Sequence, residues 1–512
     1  MDIKHLPVKN IPTGSLMERL SGEGWSRAHD GVAQEFTARW AVAFDTDIEV
    51  REVGENSLTF TTYLPDIRLR TMHEVPCLLL AGDSVDPDVL NRHWVRYNTG
   101  YVPFILALTR RAYEQAAEKL FNGHCLVLSS EQIKALLNSP DPHSHLKRYL
   151  REQIPRRSLI PYDYLLPATG GMFFGRNDEI GRLQEEDSIS FAIAGPGRIG
   201  KTSLLNHYNK AKLYGRSASF AHRFSVSFYQ AESSPDLVAR FLAMAIQESS
   251  QSYRMTAKGL INFLRYMRSR LGGTLELLLD EVDEVCQGEV FQYLGEAARI
   301  GLCRLILCGK GKLLKMMLNA SSTMDCRLDL IQLGPLEEEP ASALLLKPLE
   351  DLGFVLNGPD HILDEVLRMT GRLPNLIQCF GKKLAEIAIH EKTETITPAL
   401  MEKLKGDFFI TQLFIKSLID LEDPESRFIG LSLVKDGARH ITSSSLQQLA
   451  RGYGLRFDSK RVMEICIDLV INNVLVWNHG TYSLANEGLP FYARQTGYLD
   501  NALSEARAAV GV

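Results

Sequence analysis

Short apolar runs alternate along the chain with stretches whose apolar residues recur every third and fourth position, the pattern of strands feeding helices. In the first part the runs are Val75–Leu80, Val102–Leu108 and Cys125–Leu128, and helical spacing covers Asp88–Tyr97, Arg111–Leu120 and Glu131–Leu137. A long amphipathic segment, Trp25–Phe44, precedes them and leads into a hairpin of Ile48–Val50 with Leu58–Thr62. Residues 1–150 are therefore expected to form an N-terminal α/β accessory or effector domain. Pro155, Pro161 and Pro167 interrupt the pattern over 151–169, which reads as a linker.

From 170 to 335 the runs Ile189–Ala194, Arg223–Phe228, Leu275–Leu279, Arg304–Leu307 and Leu328–Leu333 alternate with helical patterns at Ser234–Glu248 and Ala257–Leu271. This predicts a parallel, doubly wound sheet. Residues 336–405 have helical spacing only, at Glu337–Leu352, Asp360–Met369, Pro374–His390 and Pro398–Leu404. The stretch 406–495 carries three helical patterns, the third over Ser459–Asn472. Two short apolar runs follow, Val474–Trp477 and Thr481–Leu484, around an Asn-His-Gly turn. Three helices closed by a hairpin follow the winged-helix plan, and 496–512 remain as a tail.

At 512 residues the chain needs several cores rather than one. Apolar residues at 45% and charged residues at 23% are a globular composition, and a net charge of -5 gives no global attraction to nucleic acid or anionic lipid. The sequence opens without the apolar core of a signal peptide, and no run approaches the ~18 apolar residues of a membrane span, so a cytoplasmic location and no membrane partner are expected. The eight cysteines are scattered singly, which supports neither a zinc site nor a disulfide framework.

The chemistry concentrates at two places. Gly195-Pro196-Gly197-Arg198-Ile199-Gly200-Lys201-Thr202 has the spacing G-x-x-x-x-G-K-[ST] and follows an apolar run that reads as a buried strand. Glycines there let backbone N–H groups turn inward around a β-phosphate, the helix beginning at Ser203 offers its positive end, Lys201 supplies charge, and Thr202 supplies a magnesium ligand. The strand Leu275–Leu279 then runs into Asp280-Glu281-Val282-Asp283. Nucleotide hydrolysis needs one carboxylate at a strand end for magnesium and a neighbour to orient water, which assigns the metal to Asp280 with Thr202 and the water to Glu281. Lys201, Asp280 and Glu281 are the expected catalytic residues.

Phe173-Phe174-Gly175-Arg176 with Glu179, the phosphate loop, the hydrophobic strand ending in Asp280-Glu281, and Thr370-Gly371-Arg372-Leu373-Pro374 stand in one order. In that order the chain resembles the signal-transduction ATPases with numerous domains, the STAND clade of AAA-related P-loop ATPases, over about residues 172–492. The resemblance implies a P-loop parallel sheet with a helical lid, a C-terminal winged helix acting as a nucleotide-dependent latch, ATP or ADP with magnesium as ligands, and slow hydrolysis. It also implies that Phe174, Gly175 and Arg176 enclose the adenine and that Pro374 lies against the base. Arg372 or Lys310 would sense the γ-phosphate, although Cys308 and Lys310 depart from the polar sensor and arginine of the family, and lysine lacks the arginine fork. Arg299 and Arg304 stand where oligomeric relatives present an arginine finger.

The third helix of the winged-helix pattern carries Lys460 and Arg461 but also Glu464 and Asp468, a poor supply of phosphate contacts. Protein contacts or self-association are expected ahead of DNA. A DNA-associated initiator or transposition-type ATPase, using the winged helix on duplex DNA, is the alternative. In the first 150 residues Asp45, Asp47, Asp83 and Asp86 fit solvated loop acids better than an acidic site, and Trp94 and Tyr97 read as helix core.

Overall fold

In a computed structural model the chain is described over residues 30–511, apart from 47, 54–56, 65, 69–73, 82–87, 91–92, 94–101, 120–124, 186–188, 215–219, 228–256, 272–273, 285–288, 319–327, 420, 422, 439, 479 and 496. The expected helix Ser234–Glu248, most of Asp88–Tyr97 with Trp94 and Tyr97, and the acids Asp47, Asp83 and Asp86 lie outside the described residues.

Five strands build the first sheet: β1 (Ile48–Val53), β2 (Ser57–Tyr63), β3 (Glu74–Leu80), β4 (Phe104–Ala107) and β5 (Leu126–Leu128), in that spatial order. β1, β2 and β3 pair antiparallel, whereas β3, β4 and β5 run parallel. The helix Asp30–Ala43 covers the sheet with Phe36, Trp40 and Phe44, all buried, and the Trp40 indole N–H donates to Thr62 Oγ1 at 3.3 Å. At the β5 edge the Gln153 side chain donates to Val127 C=O at 2.9 Å and accepts its N–H at 3.0 Å, satisfying backbone groups that an open edge would expose.

The second sheet is parallel throughout, with β6 (Ser190–Ala194), β7 (Phe220–Ser227), β8 (Thr274–Asp280), β9 (Cys303–Gly309) and β10 (Leu328–Gln332) ordered β10-β6-β9-β8-β7. β9 therefore separates the phosphate-loop strand β6 from the carboxylate strand β8. β6 and β9 are buried along their whole length, as expected for near-continuous apolar runs covered on both faces. Arg304 on β9 is a correction to its reading as an arginine finger. It is 2% exposed, pairs with the fully buried Glu276 at 2.5 Å, and donates to Tyr208 Oη at 2.9 Å and to the carbonyls of Ile189 and Leu183. A guanidinium with its donors committed inside the sheet cannot be presented to a neighbouring molecule.

The linker expectation also meets a different arrangement. The helix Pro142–Gln153 continues into this segment and a helical turn, Arg156–Leu159, follows, after which Ile160 and Tyr162 are buried. Tyr162 donates to Leu345 C=O of the helix Glu338–Asp351, and Asp163 N–H donates to Gln378 Oε1 of the helix Pro374–His390 at 3.1 Å. The prolines stop regular structure, but the apolar residues between them make the segment a strap threaded along the helical lid.

Beyond the lid, Phe408–Ile419 leads to the helices Pro424–Asp436, Ser443–Gly452 and Ser459–Ile471. They are closed by β11 (Leu475–Asn478) and β12 (Thr481–Leu484), which pair antiparallel. The third of these helices packs on the P-loop sheet: Ile471 is buried in the same core as Leu279 and Leu313, and Asp468 accepts from Lys315 Nζ at 2.7 Å. No described helix is long and apolar enough to cross a membrane.

Candidate nucleotide site

The loop after β6 leaves its backbone open. Gly200 holds φ +100°, which a side chain would strain, and the helix Lys201–Tyr214 starts directly behind it. Among the described residues no side chain caps the first amides of that helix, so they stand ready for an anion. Lys201 is 6% exposed, and its Nζ donates back to Gly195 C=O at 2.9 Å and Pro196 C=O at 2.7 Å. Burial holds this ammonium below the usual lysine range. It is a buried cation held by carbonyls alone, which a polyphosphate would satisfy better.

Across the sheet, Thr202 Oγ1 donates to Asp280 Oδ2 at 2.7 Å. Two hard oxygen ligands so close, one of them a carboxylate, fit the preferences of magnesium. Burial pushes the Asp280 carboxyl up, against the hydrogen bond from Thr202. Glu281 takes a left-handed backbone at φ +55° and pairs with Lys310 Nζ at 3.5 Å, so the expected water-orienting residue and one expected sensor face each other. Cys308 is fully buried behind them. Burial first, then the neighbouring Asp280, pushes its thiol well up, which keeps it protonated. Asp283 Oδ2 accepts Lys310 N–H, and its Oδ1 accepts Lys312 N–H at 2.8 Å and Leu313 N–H at 3.2 Å, which anchors the turn after β9.

These groups face a cavity of about 510 Å³, within the size of small-ligand sites. The structure brings Gly197, Arg198, Gly200, Lys201, Thr202, Ser203, Glu281, Lys310 and Pro374 to its walls. Gly195, Pro196, Ile199 and Asp280 stand behind that lining as supports. Seven non-glycine residues have positive φ among those described, and Arg198 (62°), Glu281 (55°) and Asn473 (57°) all border this one cavity. Left-handed backbone at ordinary residues is costly and concentrates where geometry serves a ligand.

Phe174, Gly175 and Arg176 are not on the cavity wall. The ring of Phe174 lies 5.7 Å beneath the Arg68 guanidinium, Gly175 packs on Pro340, and Arg176 bonds to Glu179 and Gly334 C=O. These contacts tie the segment to the first unit, to the lid and to the turn after β10. Arg372 also stays off the wall. Its turn is pinned because the Ala485 carbonyl occupies the place of a side chain at Gly371, 1.9 Å from where a Cβ would sit.

Sequence reasoning missed the other walls. The strap contributes Asp163 to Ala168, the lid Gln378, the helix Phe408–Ile419 Leu413 and Lys416, and the C-terminal unit Ile471 to Asn473. Of these, only the Asn472-Asn473 pair ending a helix carried a local signal, since asparagine tolerates the left-handed region. Ile471 C=O accepts Gly197 N–H at 3.3 Å, and Asn473 Nδ2 donates to Gly197 C=O at 3.0 Å. The C-terminal unit thus grips the phosphate loop at one glycine from both sides.

A parallel sheet ending in an open phosphate loop, with a carboxylate strand one place removed, defines the P-loop nucleotide-binding fold. No protein-family model matches the chain. A 260-residue stretch is 26% identical to the GTPase Der of Gloeothece citriformis, covering 48% of each chain, so the chain spans about half the length of that curated relative. Among solved structures, a Walker-type ATPase of Pyrococcus abyssi superposes with TM-score 0.49 at 15% identity over 65% of this chain and 99% of its own. The Aeropyrum pernix ORC2 protein, in complexes with ADPNP and ADP, reaches TM-score 0.44 at 14% identity over 68% and 98%.

Proposed function

We propose that the protein is an ATP-binding, slowly ATP-hydrolysing switch of the STAND type, in which the C-terminal winged helix senses the nucleotide through the phosphate loop. The observation that carries this reading is the two-sided grip of Ile471 and Asn473 on Gly197. Lys201 and the loop amides hold the phosphates. Thr202 and Asp280 are the residues that would hold magnesium, an ion that neutralises charge on phosphate oxygens. Glu281 orients the attacking water, and Lys310 stands across from it as the cation nearest a terminal phosphate.

The switch follows from charge. Ile471 presents an electron-rich carbonyl to the loop, so a ligand with one more phosphate adds negative charge beside that oxygen and disfavours the docked unit. ADP leaves the docking intact. A ligand shifts such an equilibrium only by its different affinity for the two arrangements, and this contact supplies that difference.

The DNA-associated alternative is weakened by the third helix itself. Arg461 is bound to Asp423 at 2.7 Å, Glu425 at 2.6 Å and Glu464 at 3.3 Å, while Ile471 and Asp468 are committed to the sheet. Little of that helix is left to meet a phosphate backbone.

Hydrogen exchange over residues 459–484 tests the switch. Exchange should be slow with Mg-ADP and faster with a non-hydrolysable ATP analogue, and Asn473→Ala should raise the ADP-bound rate about fivefold, the worth of one modest hydrogen bond. Identical exchange with both nucleotides would remove the switch reading, and salt-dependent duplex binding lost on Lys460→Ala would favour the alternative.

A further inference from the structure

The cavity has a second set of polar groups on the strap and the lid, and no motif marks it. Ser203 follows Thr202 along the phosphate-loop helix, and its Oγ accepts the Ala168 N–H at 2.9 Å. The strap therefore joins the cavity wall at the phosphate-loop helix, one residue beyond Thr202. The first turns of the lid helix line the same cavity, so strap and lid together form a slot in it. Leu166 and Pro167 from the strap and Leu373, Pro374 and Leu376 from the lid make those walls largely apolar.

Gln378 borders this slot and is 4% exposed. Its Oε1 accepts Asp163 N–H at 3.1 Å, which fixes the amide and leaves Nε2 without a partner among the described residues. Nε2 is thus a fixed donor with no protein partner among the described residues, on a residue that lines the cavity, open to an acceptor on a ligand. Asp163 borders the same slot. Its Oδ1 accepts Leu165 N–H at 2.9 Å and Leu166 N–H at 3.0 Å, and no partner meets Oδ2 among the described residues. A free donor and a free acceptor thus stand on two residues that are hydrogen-bonded to each other.

We infer that Gln378 and Asp163 read the base, with Gln378 Nε2 donating to a ring nitrogen and Asp163 Oδ2 accepting from the exocyclic amine of adenine. The inference rests on the nucleotide reading above and transfers base recognition from Phe174, Gly175 and Arg176 to the strap and lid. One free donor beside one free acceptor oxygen matches the amine and adjacent ring nitrogen of adenine. Guanine reverses that order, with the acceptor O6 where adenine has its amine and the donor N1–H where adenine has its ring acceptor, so in the same pose donor would face donor and acceptor would face acceptor.

Calorimetric titration of the full chain with magnesium and ATP, GTP, purine riboside triphosphate or inorganic tripolyphosphate tests this. Wild type should prefer ATP about tenfold over GTP and over the analogue lacking the 6-amino group, the discrimination expected when buried polar groups are left unpaired. Gln378→Glu keeps the acceptor for Asp163 N–H and removes the donor, and Gln378→Met removes both. Each should weaken ATP about tenfold and leave tripolyphosphate unchanged. Asp163→Asn should erase the preference for ATP over the deaminated analogue, and it serves as the independent variant if Gln378 changes unfold the lid.

Variants that keep the wild-type ratio of ATP to GTP, or that lose tripolyphosphate in step with ATP, would overturn the base assignment while leaving the phosphate site standing. A wild type that binds neither ATP nor tripolyphosphate would bring down the switch reading as well.

Discussion

The two sheets of this protein follow parallel strands directly with helices, yet they finish those strands in opposite ways. After β5, Ser129 caps the helix Ser130–Leu137 in a reciprocal box with Gln132, and after β4 the Thr109 hydroxyl accepts Ala112 N–H at 3.1 Å. Their first amides are satisfied from within. After β6 a glycine loop replaces the cap, and the amides of Lys201–Tyr214 stay open around a buried ammonium. The same strand–helix step is structural when capped and becomes an anion site when left open.

Lys201→Ala attacks the open end directly. It should lower ATP affinity at least about a hundredfold by calorimetry, because a charge-assisted contact to phosphate is lost from a buried site. Affinity equal to wild type would cancel the contrast between the sheets. Next in size, Glu281→Gln should slow phosphate release about a hundredfold while ATP still binds, the usual worth of a positioned base. Turnover that does not change would reassign the water.

Asp280 sharpens the comparison through pH. Burial raises its carboxyl above the ordinary 3.8, so the protonated form suits the ligand-free fold. That contribution to stability is complete below pH 3.8 and declines as pH rises through the raised value. Magnesium needs the ionised form. Mg-ATP affinity should therefore fall on acidification at a higher pH than an ordinary aspartate would give, and Asp280→Asn should flatten the profile. A profile that Asp280→Asn leaves unchanged would place the titration elsewhere.

The smallest effect belongs to the capped end. Ser129→Ala should cost about 1 kcal/mol in thermal or denaturant unfolding and leave ATP affinity alone, since uncapping a helix that has no lysine or glycine loop creates no phosphate cradle. A change in nucleotide affinity would show that the first sheet feeds the site.

Local chemistry made much of this protein readable in one dimension. The parallel strands appear as unbroken apolar runs because both faces are covered, and the phosphate loop, Asp280 and Glu281 are legible because backbone turning and charge placement demand fixed residue types at fixed spacing. Phe174, Gly175 and Arg176 are legible as a motif, but their contacts run to Arg68, Pro340 and Gly334, which no spacing records.

Arg304 reads as an arginine-finger candidate until the sheet brings Glu276 and Tyr208 to it. Asp163, Gln378 and Asn473 are ordinary polar residues far apart along the chain. They share one cavity only because the strap, the lid and the C-terminal unit close on the same face of the β6 loop. Periodicity reports which face of an element is buried. What that face is buried against depends on contacts between distant segments, and those exist only once the chain has folded.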